Sequence, residues 1–135
     1  MRVIVCGGRK YEDDVTVDTA LIRLHRKTPV TLLIHGGATG ADALARSWAM
    51  RRGVPTEMYL PAWGRHGLAA GSIRNGWMLR EGRPDLVVAF PGGNGTADMV
   101  QQAQEARVPV AIVERDCRIH GDGSKFFSTH TSRVA

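Results

Sequence analysis

Several features of common protein classes are missing from this sequence. It has only two cysteines, Cys6 and Cys117, in very different contexts, which argues against a disulfide framework and for a reducing compartment. No apolar run approaches the length of a membrane span, and the strand-like run directly after Met1 argues against a signal peptide. The cysteines and the five histidines show no metal-ligand spacing. We therefore expect a cytoplasmic domain without membrane partner, metal or bound cofactor.

Aromatic residues are also scarce, at 6% of the chain, so a stacking platform for single-stranded nucleic acid is not evident. The net charge of +5 favours anionic partners in general. The basic residues are scattered near predicted helix ends, where they interact favourably with the helix dipole. Nucleic-acid binding therefore ranks third among the predicted functions.

Glycine, in contrast, is abundant, and one glycine-rich stretch organises the chain. Residues 86–90 form an apolar run of strand length, and the residues after 96 have helical spacing. Between them lie Pro91, Gly92, Gly93, Asn94, Gly95 and Thr96. This loop lacks the lysine of a P-loop and does not match Gly-x-Gly-x-x-Gly. With Thr96 as the predicted N-cap, it is suited to bind an anion such as phosphate; the alternative is a tight turn that binds nothing.

The rest of the chain alternates in the same way between apolar strands and amphipathic helices. We predict strands over 3–6, 31–34, 55–60, 86–90 and 108–113, and helices that include residues 17–24, 41–52, 68–80 and 99–106. Continuous apolar strands alternating with helices indicate an α/β fold, with an open parallel sheet covered on both faces. Because glycine-rich loops follow strands one, two and four, these strands should be neighbours. We predict a Rossmann-like order of 3-2-1-4-5 over the flavodoxin-like 2-1-3-4-5.

Three loops should then converge at the carboxyl edge of this sheet. The candidate ligand-binding residues are those of the loops and two polar residues on the third helix: Gly7, Gly8, Arg9, His35, Gly36, Gly37, Thr39, Gly40, Asp42, Arg74, Asn75 and the stretch Pro91 to Thr96.

Several of these side chains have an ordinary structural alternative. Arg9 pairs with a phosphate or carboxylate, or is a solvated surface arginine. His35 contacts ligand or acts as an acid or base, or it hydrogen-bonds a neighbouring loop. Asp42 holds a ribose hydroxyl, or simply occupies the favourable first turn of its helix. Arg74 and Asn75 reach over the carboxyl edge or form a solvated helical face.

Two further residues are interpreted as structural. Cys6 is expected to be a small buried apolar residue rather than a nucleophile. Trp63 is expected to pack against the protein rather than stack on a base.

Four segments, in this order, resemble the YspA-like, cpYpsA-related branch of the SLOG superfamily. They are residues 3–9, 35–42, 69–75 and 89–99, so that the resemblance covers most of residues 1–113. It implies a Rossmann-like fold that binds a nucleotide or a nucleotide-derived ligand, as a sensor or carrier.

A more distant resemblance, to the Lonely Guy phosphoribohydrolases, bears on catalysis. These enzymes use an arginine on the third helix, which Arg74 resembles, and a glutamate three residues after the motif threonine. That position is Met99 here, and Asp98 lies one residue earlier, which turns the side chain by about 100° on a helix. The absence of a glutamate at position 99 favours ligand binding without hydrolysis. The alternative is a nucleotide N-glycosidase in which Arg74 and Asp98 are catalytic.

The domain is expected to end at residue 113, and residues 114–135 form a polar C-terminal extension. Its apolar anchor, Phe126-Phe127, is predicted to pack on the body or on a second subunit. The predicted third and fourth helices carry more apolar residues than one sheet face can cover, namely Trp77, Met78, Met99 and Val100. We therefore predict a homodimer or higher homo-oligomer.

Overall fold

The structure is a computed structural model that describes residues 1–114 and the strand at 127–130. Its single sheet has the order β3-β2-β1-β4-β5-β6, and the first five strands are parallel. The predicted order 3-2-1-4-5 is therefore confirmed, with β3 at one edge. The strands are β1 (Arg2–Cys6), β2 (Leu32–His35), β3 (Thr56–Met58), β4 (Leu86–Ala89), β5 (Val110–Val113) and β6 (Phe127–His130).

The sequence analysis did not predict β6, because the polar composition after residue 113 indicates no strand. This strand pairs antiparallel with β5, with Phe127 opposite Val113 and His130 opposite Val110. The predicted packing of the Phe126 and Phe127 side chains lies outside what the structure describes.

Helices cover both faces of the sheet, and each face has its own core. Helices α1 (Asp14–Lys27) and α2 (Ala41–Arg52) pack on the face formed by residues such as Val3 and Val5. Helices α4 (Ala70–Gly82) and α5 (Asn94–Glu105) pack on the opposite face, around Ile4. Alternate residues of β1 thus enter different cores, as the two-residue period of a strand requires. None of the described helices has the length and apolar character that crossing a membrane requires.

The connection between β3 and α4 differs from the predicted single helix over 68–80. A short helix α3 (Trp63–His66) is followed by a 3₁₀ turn at Gly67–Ala69, and α4 begins only at Ala70. Gly67 has a φ of +58°, a left-handed conformation that favours glycine and changes the direction of the chain.

Two of the four apolar residues on which the predicted assembly rests are core residues. Met78 and Met99 are 1% exposed, so they are not surplus surface, and Trp77 and Val100 are half-buried. The exposed large apolar side chains are instead Val15, Met50, Met58, Leu60, Trp63 and Leu68. The homo-oligomer stays a prediction, but the helical surface proposed for it is smaller than expected.

Candidate functional site

The loops after β1, β2 and β4 lie side by side, because these strands are neighbours in the sheet. The amide of Gly8 donates to the Pro91 carbonyl (2.9 Å), and the amide of Ala41 donates to the Gly8 carbonyl (3.1 Å). Gly40 has a φ of +75°, and a Cβ there would overlap the Gly8 carbonyl and the backbone of Arg9. Direct backbone contacts therefore hold the three loops together, and glycine makes this close approach possible.

A cavity of about 570 Å³ lies where these loops meet the first turns of α4 and α5. Its volume is within the range of small-molecule sites. The predicted site residues that line it are Gly7, Gly8, Arg9, Gly36, Asp42, Arg74, Asn75, Gly93, Asn94, Gly95, Thr96 and Asp98. The predicted residues His35, Gly37, Thr39, Gly40, Pro91 and Gly92 do not line this cavity.

In the first part of the β2–α2 loop, the backbone amides donate hydrogen bonds to side chains of the protein itself. Asp42 Oδ2 accepts hydrogen bonds from the amides of Gly36 (3.0 Å) and Ala38 (3.2 Å). His35 Nδ1 accepts from the amide between them, that of Gly37 (3.0 Å). Three successive N–H groups are thus used internally and are not offered to a ligand.

His35 and Asp42 are both buried, and burial disfavours the charged form of each. Burial, with a smaller effect of Arg46, lowers the pKa of His35 below its usual 6.5. Burial also raises the pKa of Asp42, against the opposing effect of the two amides that it accepts from. Of the two alternatives for His35, the structure shows hydrogen bonding to the neighbouring loop.

The first turn of α5 differs from the β2–α2 loop in the bonding of its backbone amides. Gly93 is its N-cap, without a side-chain cap, and the first amide bonded to the helix is that of Ala97, to the Gly93 carbonyl (3.0 Å). The amides of Asn94, Gly95 and Thr96 donate to none of the described residues. Thr96 is therefore not the N-cap as predicted but lies in the first turn. These amides and the positive end of the helix dipole favour an anion.

The glycines of this turn are not required by the protein's own packing. Nothing lies within 4 Å of where a Cβ would be at Gly93 or Gly95, and neither has a positive φ. Gly92 is different, because a Cβ there would overlap Thr96 and approach the amide nitrogen of Gly8 at 2.7 Å. At Gly93 and Gly95 the space belongs to the cavity.

Arg74 projects from α4 and joins three parts of the site. Its Nη1 donates to the carbonyls of Gly36 (2.9 Å) and Tyr59 (3.3 Å), and its Nε donates to Asn75 Oδ1 (3.0 Å). Burial lowers the pKa of Arg74; Asp42 opposes this effect, and the nearby guanidinium of Arg9 adds to it. Within the described residues, neither arginine forms a salt bridge with a carboxylate. The cavity therefore brings together two like charges that an anionic ligand would stabilise.

Asp98 and Asn75 form a second polar group in the cavity wall. Asp98 Oδ2 accepts from Asn75 Nδ2 (2.9 Å) and from Gln102 Nε2 (2.8 Å), and Oδ1 accepts from Ser72 (3.0 Å). Because Asn75 also accepts from Arg74, it connects the predicted catalytic arginine to the predicted carboxylate. Met99 is buried in the core and cannot take part in acid–base chemistry.

The two residues interpreted as structural differ in outcome. Cys6 is half-buried and borders the cavity; burial raises its thiol pKa above the usual range, which disfavours the thiolate that a nucleophile needs. Trp63 is 49% exposed, so it is only partly packed against the protein, and its interpretation as a packing residue stays a prediction. The lining residues Gly71 and Ser72 were also missed as site residues, although they lie three and two residues before Arg74 on the predicted helix.

The family model described as YspA, cpYpsA-related SLOG family matches residues 1–66. This segment includes β1, β2 and the loops that follow both strands. A relative, the Gene 61 protein of Mycobacterium phage D29, is 41% identical over 117 residues, which is 81% of this chain and 93% of the relative. The relative's name states no activity.

Proposed function

This chain belongs to the YspA, cpYpsA-related SLOG family, and from this premise we propose that it binds a nucleotide or nucleotide-derived ligand as a sensor or carrier. The phosphate of the ligand binds at the start of α5, and Arg9 and Arg74 balance its charge. The observation that carries the proposal is that the amides of Asn94, Gly95 and Thr96 have no partner among the described residues and that these residues line a cavity of ligand size.

A ligand screen tests this proposal directly. Thermal shift is measured with nucleoside mono- and diphosphates, cyclic nucleotides, ADP-ribose and NAD. A ligand at a hundred times its Kd should stabilise the fold by about 2.7 kcal/mol. If no compound in this panel raises the melting temperature, the proposal is wrong.

Gly95→Ala then tests whether the ligand occupies the open glycine position. The substitution should stabilise the unliganded protein by about 0.5 kcal/mol, because alanine favours helix and meets no atom. It should weaken binding of the stabilising ligand at least about tenfold, since the Cβ takes up ligand space. Affinity is measured by calorimetry and stability by urea unfolding.

Gly64→Ala is the matched control, because Gly64 is also helical, also has open space and does not line the cavity. It should leave affinity unchanged. Wild-type affinity in Gly95→Ala would show that the ligand does not approach this turn.

One observation favours the N-glycosidase as a second candidate: Arg74 and Asp98 line the same cavity and are connected through Asn75. In this reading Arg74 binds phosphate and Asp98 stabilises an oxocarbenium-like centre. Incubation with nucleoside monophosphates should release free base, and Asp98→Asn should abolish the release. Absence of base release with every nucleotide rejects hydrolysis and leaves binding intact. Nucleic-acid binding stays a prediction without further support from the site.

A further inference from the structure

A second, smaller cavity of about 270 Å³ adjoins the first. Arg9, Trp63 and Arg74 border both cavities, so the two meet at these side chains. The amides at the start of α5 line only the larger cavity. A ligand whose phosphate binds there can therefore extend towards Trp63.

Exposed apolar side chains surround this junction. Trp63 is 49% exposed, Leu60 is 60% exposed, and Leu68 is fully exposed. Leu60 borders the smaller cavity and Leu68 the larger one. Three of the six large apolar side chains with high exposure thus lie around one opening, and such concentration is typical of a binding surface.

The charge beside Trp63 fits an anionic compound with a planar ring. The guanidinium carbon of Arg9 lies 5.8 Å from the centroid of the Trp63 ring. Nucleobases stack on aromatic rings such as that of tryptophan and on arginine guanidinium planes. Arg9 is itself exposed, so it can move outward and admit a ring between its guanidinium and the indole.

Gly71 keeps the larger cavity open beside the indole. A Cβ there would make only an ordinary contact with the Trp63 ring at 3.8 Å, and Gly71 has no positive φ. Like Gly93 and Gly95, it is a cavity-lining glycine that the protein's own packing does not require.

We propose that Trp63 is the stacking subsite for the base of a purine nucleotide whose phosphate binds at the start of α5. This inference rests on the proposed function and adds to it the part of the ligand that is recognised. A purine is favoured because its two fused rings cover the exposed indole better than a pyrimidine does.

The test compares AMP and GMP with ribose 5-phosphate, which has the sugar phosphate but no base. Calorimetry on the full chain should show that wild type binds AMP and GMP more tightly than ribose 5-phosphate. Trp63→Ala should weaken purine nucleotide binding about tenfold or more and leave ribose 5-phosphate unchanged. Trp63→Phe should recover most of the affinity, because it restores an aromatic ring.

Tryptophan fluorescence supplies a second measurement with a matched control. AMP should quench wild-type fluorescence, and the quenching should disappear in Trp63→Phe. It should persist in Trp77→Phe, because Trp77 contacts the His66 ring and borders neither cavity.

Two results would overturn the subsite while phosphate binding stands. One is equal affinity of wild type for the nucleotides and ribose 5-phosphate, and the other is the same loss for both in Trp63→Ala. If none of the three probes binds wild type at millimolar concentration, phosphate binding at α5 fails and the subsite fails with it.

Discussion

The loops that follow β2 and β4 are both rich in glycine and lie on opposite sides of β1 at the carboxyl edge of the sheet. In the first, His35 and Asp42 accept the amides of Gly36 to Ala38. In the second, the amides of Asn94 to Thr96 have no partner among the described residues. A missing Cβ makes room for protein atoms in the first loop and for the cavity at Gly93 and Gly95 in the second.

This difference distinguishes a loop that is bonded within the protein from a loop that we propose binds the ligand. Glycine allows a loop to approach other atoms closely, but it does not determine whether those atoms belong to the protein or to a ligand. Substitutions in the β2–α2 loop should therefore reduce stability. Substitutions at the open positions after β4 should reduce affinity, as proposed above for Gly95→Ala.

The largest effect is expected for Gly40→Ala. The substitution places a Cβ against the Gly8 carbonyl at a φ of +75°, so backbone strain and overlap both oppose folding. We expect a loss of about 3 kcal/mol or more in the free energy of unfolding, measured by urea titration. Gly53→Ala is the control, since its φ is +71° but nothing lies within 4 Å, and it should lose about 1 kcal/mol. Equal losses in the two variants would show that the close approach at Gly40 has no cost.

Asp42→Ala should have the next largest effect, because it leaves the amides of Gly36 and Ala38 without their acceptor. The expected loss in the free energy of unfolding is about 3 kcal/mol, again by urea titration. Asp42→Asn retains a side-chain oxygen and should lose less. Asp18→Ala removes an aspartate from an exposed ion pair with Arg51 and should lose least. A wild-type free energy of unfolding in Asp42→Ala would remove the distinction between the two loops.

The smallest expected effect is a pH dependence caused by His35. Because its pKa is lowered in the folded protein, the unfolded chain binds more protons below pH 6.5, and stability falls as pH decreases through this range. Unfolding at pH 5.5 and 7.5 should show a larger difference for wild type than for His35→Asn. Asparagine offers an oxygen near the position of Nδ1 but does not titrate.

Comparing the two proteins removes the contributions of the other histidines and of Asp42, which are common to both. An identical pH dependence in wild type and His35→Asn would mean that protonation of His35 does not oppose folding.

The sequence predicted the candidate site in outline. The loops after β1, β2 and β4 and the residues Arg74 and Asn75 do meet at one cavity. The connections within it were not predictable, since the Gly36 carbonyl is 38 residues from Arg74 and Asp98 is 23 from Asn75. The 49% exposure of Trp63 was not predicted, since a tryptophan after a strand is more often a packing residue.

The α/β class, the strand order and the edge of the sheet at which the loops collect were predictable from the amino-acid sequence. Continuous apolar strands and glycine breaks are local patterns, and the rules of parallel sheets convert them into topology. Which loop amides are bonded, and which have no partner among the described residues, depends instead on contacts between elements that are distant in the sequence. The physical reason is the freedom of glycine, because its backbone angles are fixed by the surrounding contacts rather than by its own side chain.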